Sequence, residues 1–187
     1  MYLVLLYGEP ATSSNIATNL PNWQTLIPAT AIVVAIGVLN AFFSPLAKAR
    51  FVFLRWHHPL PGSRAFSHFA KADSRVDVGK LKEKIGAFPK SPRRQNAKWY
   101  SIYKAMEDAS AVRDAHKNFL LTRDYAMFAL LLCLVLAPLS FKQFPSFTMA
   151  LSYSGFLIVQ VVLVVRAARV HGYRFVTTVL ARKSAEP

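Results

Sequence analysis

The sequence predicts an all-α membrane protein, with three transmembrane helices and a basic helical cytoplasmic layer between the first and second spans. Three observations lead there. Apolar residues make up 53% of the 187 residues and charged ones 17%, with a mean hydropathy of +0.28, more apolar than an average soluble protein. The apolar residues gather in three runs that carry no charge. The 23 Lys and Arg, set against 9 Asp and Glu, gather between and after those runs.

The first run, TLIPATAIVVAIGVLNAFFSPLA, assigns residues 25–47 to a transmembrane helix, matching the roughly 20 residues needed to cross the hydrocarbon core. YAMFALLLCLVLAPLSF assigns 125–141 to a second, and MALSYSGFLIVQVVLVV assigns 149–165 to a third. Taken alone, a run of this shorter length also suits a buried helix of a soluble domain. Three runs in so small a chain leave too little polar surface to cover them.

Charge placement sets the orientation. Segment 1–24 holds only Glu9 and the 142–148 loop only Lys142, whereas residues 44–124 hold 17 basic against 7 acidic residues and 166–187 hold 5 against 1. The positive-inside bias, weighted to Lys48, Arg50, Arg55, Arg123, Arg166 and Arg169 near the span ends, puts 48–124 and the 166–187 tail in the cytoplasm. Segments 1–24 and 142–148 then face outward. The net charge of +14 is on this reading largely a topology signal and an attraction for anionic lipid, worth about 1 kcal/mol per basic residue near the surface. It does not by itself identify a nucleic-acid ligand. The opening MYLVLLY has no basic residue before it and no small-residue cleavage site close behind, so it reads as an interfacial strip and not a signal peptide.

Within 48–124, Phe51, Phe53, Leu54 and Trp56 interleave with Arg50 and Arg55 like an interfacial helix end, which Pro59, Pro61 and Gly62 break. Val78, Leu81 and Ile85 share one face of a short amphipathic helix that Gly86 closes. Trp99, Ile102, Tyr103, Met106, Ala109, Val112 and Phe119 then form one apolar stripe. It predicts a helix from Pro92 past Phe119, bent near Asp108 and running into the second span as a stalk. The stripe packs against the Val78 helix, the tail or another copy, or else it offers Trp99, Tyr100 and Tyr103 for stacking on a ligand. One copy would leave much of such a stripe wet, which points to a homo-oligomer. In the tail, Phe175, Val176, Val179 and Leu180 fall at helical spacing and are expected to pack back onto the same layer.

Ser91 is a good N-cap and Pro92 suits the first helical position, but Arg93 and Arg94 follow where the helix dipole favours acids. That arrangement becomes favourable once an anion sits there. Lys90, Arg93, Arg94 and Lys98 are therefore the candidate anion or partner site, with lipid phosphate, a nucleotide or oligonucleotide messenger, or an acidic partner protein as its ligand.

The remaining chemistry is sparse. His57 and His58 are adjacent, His68 and His116 stand apart from other ligand types, and Cys133 is the single cysteine, so no metal site is expected. The seven acids of 44–124 read as surface pairs. No phosphate loop, dinucleotide glycine pattern or hydrolase elbow occurs, so neither a cofactor nor an enzymatic activity is expected. The spans hold no ionisable side chain, which argues against a proton relay or coupled transporter. Gly37, Asn40, Ser152, Gly155 and Gln160 are candidates for packing between spans or for lining a pore.

Three segments, HPLPGSRAF at 58–66, SPRRQNAKWYSIYK at 91–104 and HKNFLLTRD at 116–124, together resemble a type of small bacterial inner-membrane protein found among anti-phage defence genes. The resemblance implies an oligomeric effector that disturbs the inner membrane, as a pore or by depolarisation, when a cytoplasmic signal or partner reaches it. It assigns no residue a role. The rival expectation is a non-conducting anchor or scaffold that recruits a cytoplasmic partner. In either case the expected partners are membrane lipids, further copies of the chain, and a cytoplasmic protein or a nucleotide or oligonucleotide ligand.

Overall fold

The computed structural model describes residues 23–186, and all regular structure among them is helical. The MYLVLLY strip and nearly all of the 1–24 segment lie outside the described residues. Six helices matter: α1 (Trp23–Phe42), α2 (Pro45–Phe53), α3 (Val78–Ile85), α4 (Pro92–Ala105), α5 (Ser110–Gln143) and α6 (Phe147–Ala185). Between α2 and α3, Pro61–Arg64 forms a 3₁₀ turn that continues into a π turn at Ala65–Phe69 and a short helical turn at Ala70–Ala72.

The helix starts follow from local chemistry. Ser44 caps α2, its Oγ accepting from the Ala47 N–H at 3.2 Å, with Pro45 at the first position. Asp77 and Ser91 cap α3 and α4 in the same way. Leu54 ends α2 in the left-handed region (φ 50°), and Gly86 closes α3 at φ 77°.

The first run is not one helix. The Ser44–Pro45 cap stops α1 at Phe42, and Thr30–Phe42 meets α2 at 100°. Residues 45–47 therefore belong to a second helix, capped by Ser44, that turns away at the end of the first. By length and composition α5 and α6 are each able to cross a membrane, and the bent pair makes a third span if its two parts are taken together.

The expected bend near Asp108 is a full break: Met106–Ala109 separate α4 from α5. From Ser110, α5 runs unbroken into the second apolar stretch, Pro138 included. The tail reaches its partners without a turn: one helix, α6, runs 39 residues from Phe147 through the third apolar stretch to Ala185, and Phe175, Val176, Val179 and Leu180 are buried as expected, in one core with Trp99 and Phe119.

These two helices pair antiparallel along one seam. On α5, Val112, Phe119, Ala126 and Ser140 are buried and Cys133 half-buried, one residue every seven. On α6, Ser154, Leu157, Val165, Ala168, Gly172, Phe175 and Val179 are buried in steps of three, four and eight. A seven-residue repeat keeps such a seam facing its partner through left-handed coiling. Toward the α5–α6 turn the seam carries small groups: Ser140 Oγ and Ser154 Oγ are 3.2 Å apart, a close approach that favours helix association where water is absent. Outward, Leu134, Leu151, Ile158, Val162 and Leu163 are exposed, as a lipid-facing belt requires.

Beyond Asp124 on α5 and Arg166 on α6 the same seam becomes the core of a helical layer. Phe175 meets Trp99 edge-on at 5.1 Å and Tyr103 at 5.2 Å, and stacks on His116 at 4.8 Å between ring centroids. Phe53 on α2 lies over Gly172, where an added Cβ would come within 2.7 Å of the Phe53 ring. The stripe from Trp99 to Phe119 is thus covered by α6 and the 61–72 turns of its own chain. A single copy therefore does not leave this stripe wet.

Phe175→Ala should cost about 3–5 kcal/mol of stability, read as a lowered denaturation midpoint in detergent micelles. Leu163→Ala, on the outward face of α6, should leave that midpoint nearly unchanged.

Candidate functional site

Lys90, Arg93 and Arg94 are exposed at the start of α4, with Lys98 half-buried one turn on. Among the described residues no ion pair engages any of the four. What the sequence reading missed is Gln95, which is 2% exposed. Its Oε1 accepts from the N–H groups of Phe66 and Ser67 at 3.2 and 3.1 Å, and its Nε2 donates to the Lys90 carbonyl at 3.2 Å. Phe66 and Ser67 lie in the first turn of the 65–69 π turn, where N–H groups have no helical partner. One amide therefore satisfies two orphan donors and ties the start of α4 to the 61–72 turns, while the cations around it stay in solvent.

The three aromatic candidates separate. Trp99 is buried, stacked on Tyr103 at 5.8 Å and pressed against Gly62, where a Cβ would lie 2.6 Å from its ring. Neither Trp99 nor the buried Tyr103 has a free face for a ligand, and their role is packing. Tyr100 alone is exposed.

Tyr103 Oη lies 3.0 Å from His116 Nδ1. Burial pushes the His116 ring below its ordinary pKa, helped by the charge of Arg123 and of Lys104, with Glu107 opposing. A neutral ring protonated at Nε2 lets Tyr103 donate to Nδ1.

The span candidates also separate. Asn40 Nδ2 donates to the Asp124 carbonyl at 3.3 Å, joining α1 to α5, with its Oδ1 buried and unpartnered. Gln160 Nε2 donates to Tyr125 Oη at 3.1 Å across the seam. Ser152 is exposed on the outer face of α6, and it is Ser154 that meets α5. A Cβ at Gly37 or Gly155 would meet nothing within 4 Å, so neither glycine serves a close helix approach within this chain.

A charged collar closes the junction between the apolar stretches and the layer. Asp124, expected as a surface acid, accepts from Arg123 at 2.9 and 3.0 Å and pairs with Lys48 at 3.3 Å. Lys48 and Arg123 keep only 8% and 11% of their side-chain surface. Arg169 on α6 donates to the Val52 carbonyl at the end of α2, filling an orphan acceptor where the helix dipole favours a cation. Four helices, α1, α2, α5 and α6, thus meet through one carboxylate, one amide and three cations. Sequence spacing carries no trace of it, because Asn40, Lys48, Asp124 and Arg169 are distant along the chain. Among the described residues no group of three or more His, Cys, Asp or Glu is placed to hold a metal ion.

Comparison with known proteins finds no match. No family model fits the chain, and no curated protein or solved structure matches it. The functional reading therefore rests on the chain's own residues.

Asp124→Asn should cost about 1–3 kcal/mol by leaving buried Lys48 without its counter-charge, and adding Lys48→Met should recover part of that loss. Both are read from denaturation midpoints in micelles. A depressed His116 pKa means that the unfolded chain binds its proton first as pH falls. Its stabilising contribution is complete above the ordinary histidine value of about 6.5 and is lost as pH drops below it toward the folded value. His116→Asn, which keeps an acceptor near Tyr103, should flatten the wild-type decline in midpoint between pH 7.5 and 5.5.

Proposed function

We propose that this chain is a non-enzymatic, multi-pass inner-membrane effector that converts events at its basic cytoplasmic face into a change in its spans, opening or depolarising the membrane in bacterial defence. The observation that supports this reading is the continuity of α5 and α6. The residues that build the layer's core, Phe119 and Phe175, stand on the same unbroken helices and the same seam as Ser140 and Ser154 in the apolar stretches. A packed seam does not deform gradually, so a shift of α4 against Phe175 is carried into the spans. The exposed, unpaired cations Lys90, Arg93 and Arg94 offer the anionic signal or partner its contact. Up to three spans in one chain enclose no aqueous path, so conduction requires a homo-oligomer. Exposed Ser152 on α6 gives a second copy a polar contact.

The rival is a non-conducting anchor that recruits a cytoplasmic partner through the same basic face. It draws on the engagement of Asn40 and Gln160 within the chain, which removes both as ready pore-lining groups.

Reconstituted into liposomes of bacterial polar lipids, the protein should pass ions at a rate that rises more steeply than linearly with the protein-to-lipid ratio, measured with an entrapped ion-sensitive dye. Arg93→Glu with Arg94→Glu should alter the dependence of that flux on anionic lipid while leaving the denaturation midpoint unchanged. Absence of flux at every ratio removes the effector reading and leaves the anchor.

A further inference from the structure

A cavity of about 490 Å³ opens between α5 and α6, lined by Arg75, Ala115, Asn118, His171, Arg174 and Thr178. It lies away from Lys90, Arg93, Arg94 and Lys98, none of which lines it. Helical spacing explains its composition: His171, Arg174 and Thr178 fall on one face of α6 in steps of three and four, and Ala115 and Asn118 share a face of α5. Ala115 supplies little bulk, so the groove between the helices stays open there.

Every polar side chain in this lining can donate a hydrogen bond, and no carboxylate lines it. Arg75 is held in place before any ligand arrives. Its Nε and one terminal nitrogen donate to the two oxygens of Asp73 at 3.0 and 2.7 Å, and that terminal nitrogen also donates to Thr177 Oγ1 at 3.0 Å. Among the described residues the other terminal nitrogen has no partner, on a guanidinium held by those three bonds. Among the described residues, neither the Arg174 guanidinium nor the His171 ring takes part in any hydrogen bond or ion pair. Two guanidiniums and an imidazole around one cavity, with no carboxylate in its lining, favour an anion in the space between them.

We propose that this groove binds a phosphate monoester. Arginine forks match the tetrahedral oxygens of phosphate in geometry and charge, and a doubly charged terminal group can accept from Arg75, Arg174, His171, Asn118 and Thr178 together. Arg174 stands eight residues beyond Arg166, about 12 Å along the helix axis. The groove is therefore outside the apolar stretch, within reach of a small soluble phosphate compound or of a lipid whose headgroup ends in a phosphate monoester. Because both long helices contribute to the lining, the bound anion would tie α5 to α6.

The test uses the full chain in phosphatidylcholine nanodiscs. In one arm glycerol 3-phosphate is titrated and binding followed by calorimetry. In the other, phosphatidic acid is added to the discs and retained lipid counted by native mass spectrometry, with phosphatidylglycerol, a singly charged phosphodiester, as control. Saturable binding in the first arm assigns a soluble ligand. Retention of phosphatidic acid over phosphatidylglycerol in the second assigns a lipid. In whichever arm binds, Arg174→Gln should weaken binding at least tenfold and Arg174→Lys less, while Arg93→Gln with Arg94→Gln should leave it unchanged. Arg174 is exposed and unpaired, so its variants should keep the wild-type denaturation midpoint; Thr178→Val, which removes one donor without altering charge, should weaken binding about threefold. Binding in neither arm, equal retention of both lipids with no response to glycerol 3-phosphate, or indifference to Arg174→Gln overturns the proposal.

Discussion

The seam between α5 and α6 is the constraint on which the other elements depend. Its repeat of seven on α5, from Val112 through Phe119, Ala126 and Cys133 to Ser140, keeps two long helices in register over their paired length. The side chains along it change character where the environment changes. Near the hairpin tip the seam carries Ser140 against Ser154. In the layer it carries Phe175, whose ring meets those of Trp99, Tyr103, His116 and Phe119. The remaining helices are then placed by what they add to this pair: α2 lays Phe53 over Gly172, α3 buries Leu81 against α6, and α4 supplies the aromatic lid.

The charged collar complements that packing. A lysine and an arginine as deeply covered as Lys48 and Arg123 need a counter-charge, and Asp124 gives both the same one. The collar sits where α1 stops and α2 turns away, so the 100° bend is held from two sides, by Asn40 on the Asp124 carbonyl and by Arg169 on the carbonyl end of α2. Apolar packing sets the long axis of the molecule, and the polar groups set where it changes direction.

Much of this architecture was legible in the sequence. The apolar runs, the amphipathic α3 with its closing Gly86, the Ser91 cap and the stripe through Trp99 and Phe119 follow from local patterning, which reports which face of a helix is apolar. Patterning does not report what covers that face. Phe175 and Trp99 lie far apart in the chain, so patterning named the tail as one of three covers for the stripe without choosing it, and left much of the stripe wet in a single copy where the structure buries it. The continuity of α6 was obscured by Arg166 and Arg169, which mark the end of an apolar run without ending the helix. Ser44–Pro45 carried the signal of a helix start inside the first run, but an unbroken hydropathy pattern masked it. Gln95 offered no signal, since a glutamine at a helix start is ordinary until the backbone donors it meets are known. Nor did the collar or the groove, each assembled from separate segments.

The turn between α5 and α6 is only three residues, Phe144 to Ser146, and the seam begins right beside it at Ser140 and Ser154. During biogenesis the two apolar stretches therefore emerge nearly back to back, with little polar chain between them to be carried to the far side. They can zip together from the hairpin tip before the layer exists, since Ser140 and Ser154 need nothing from the rest of the chain to meet. The hairpin is thus complete in itself, and the residues of the layer stand on the two arms that it brings together.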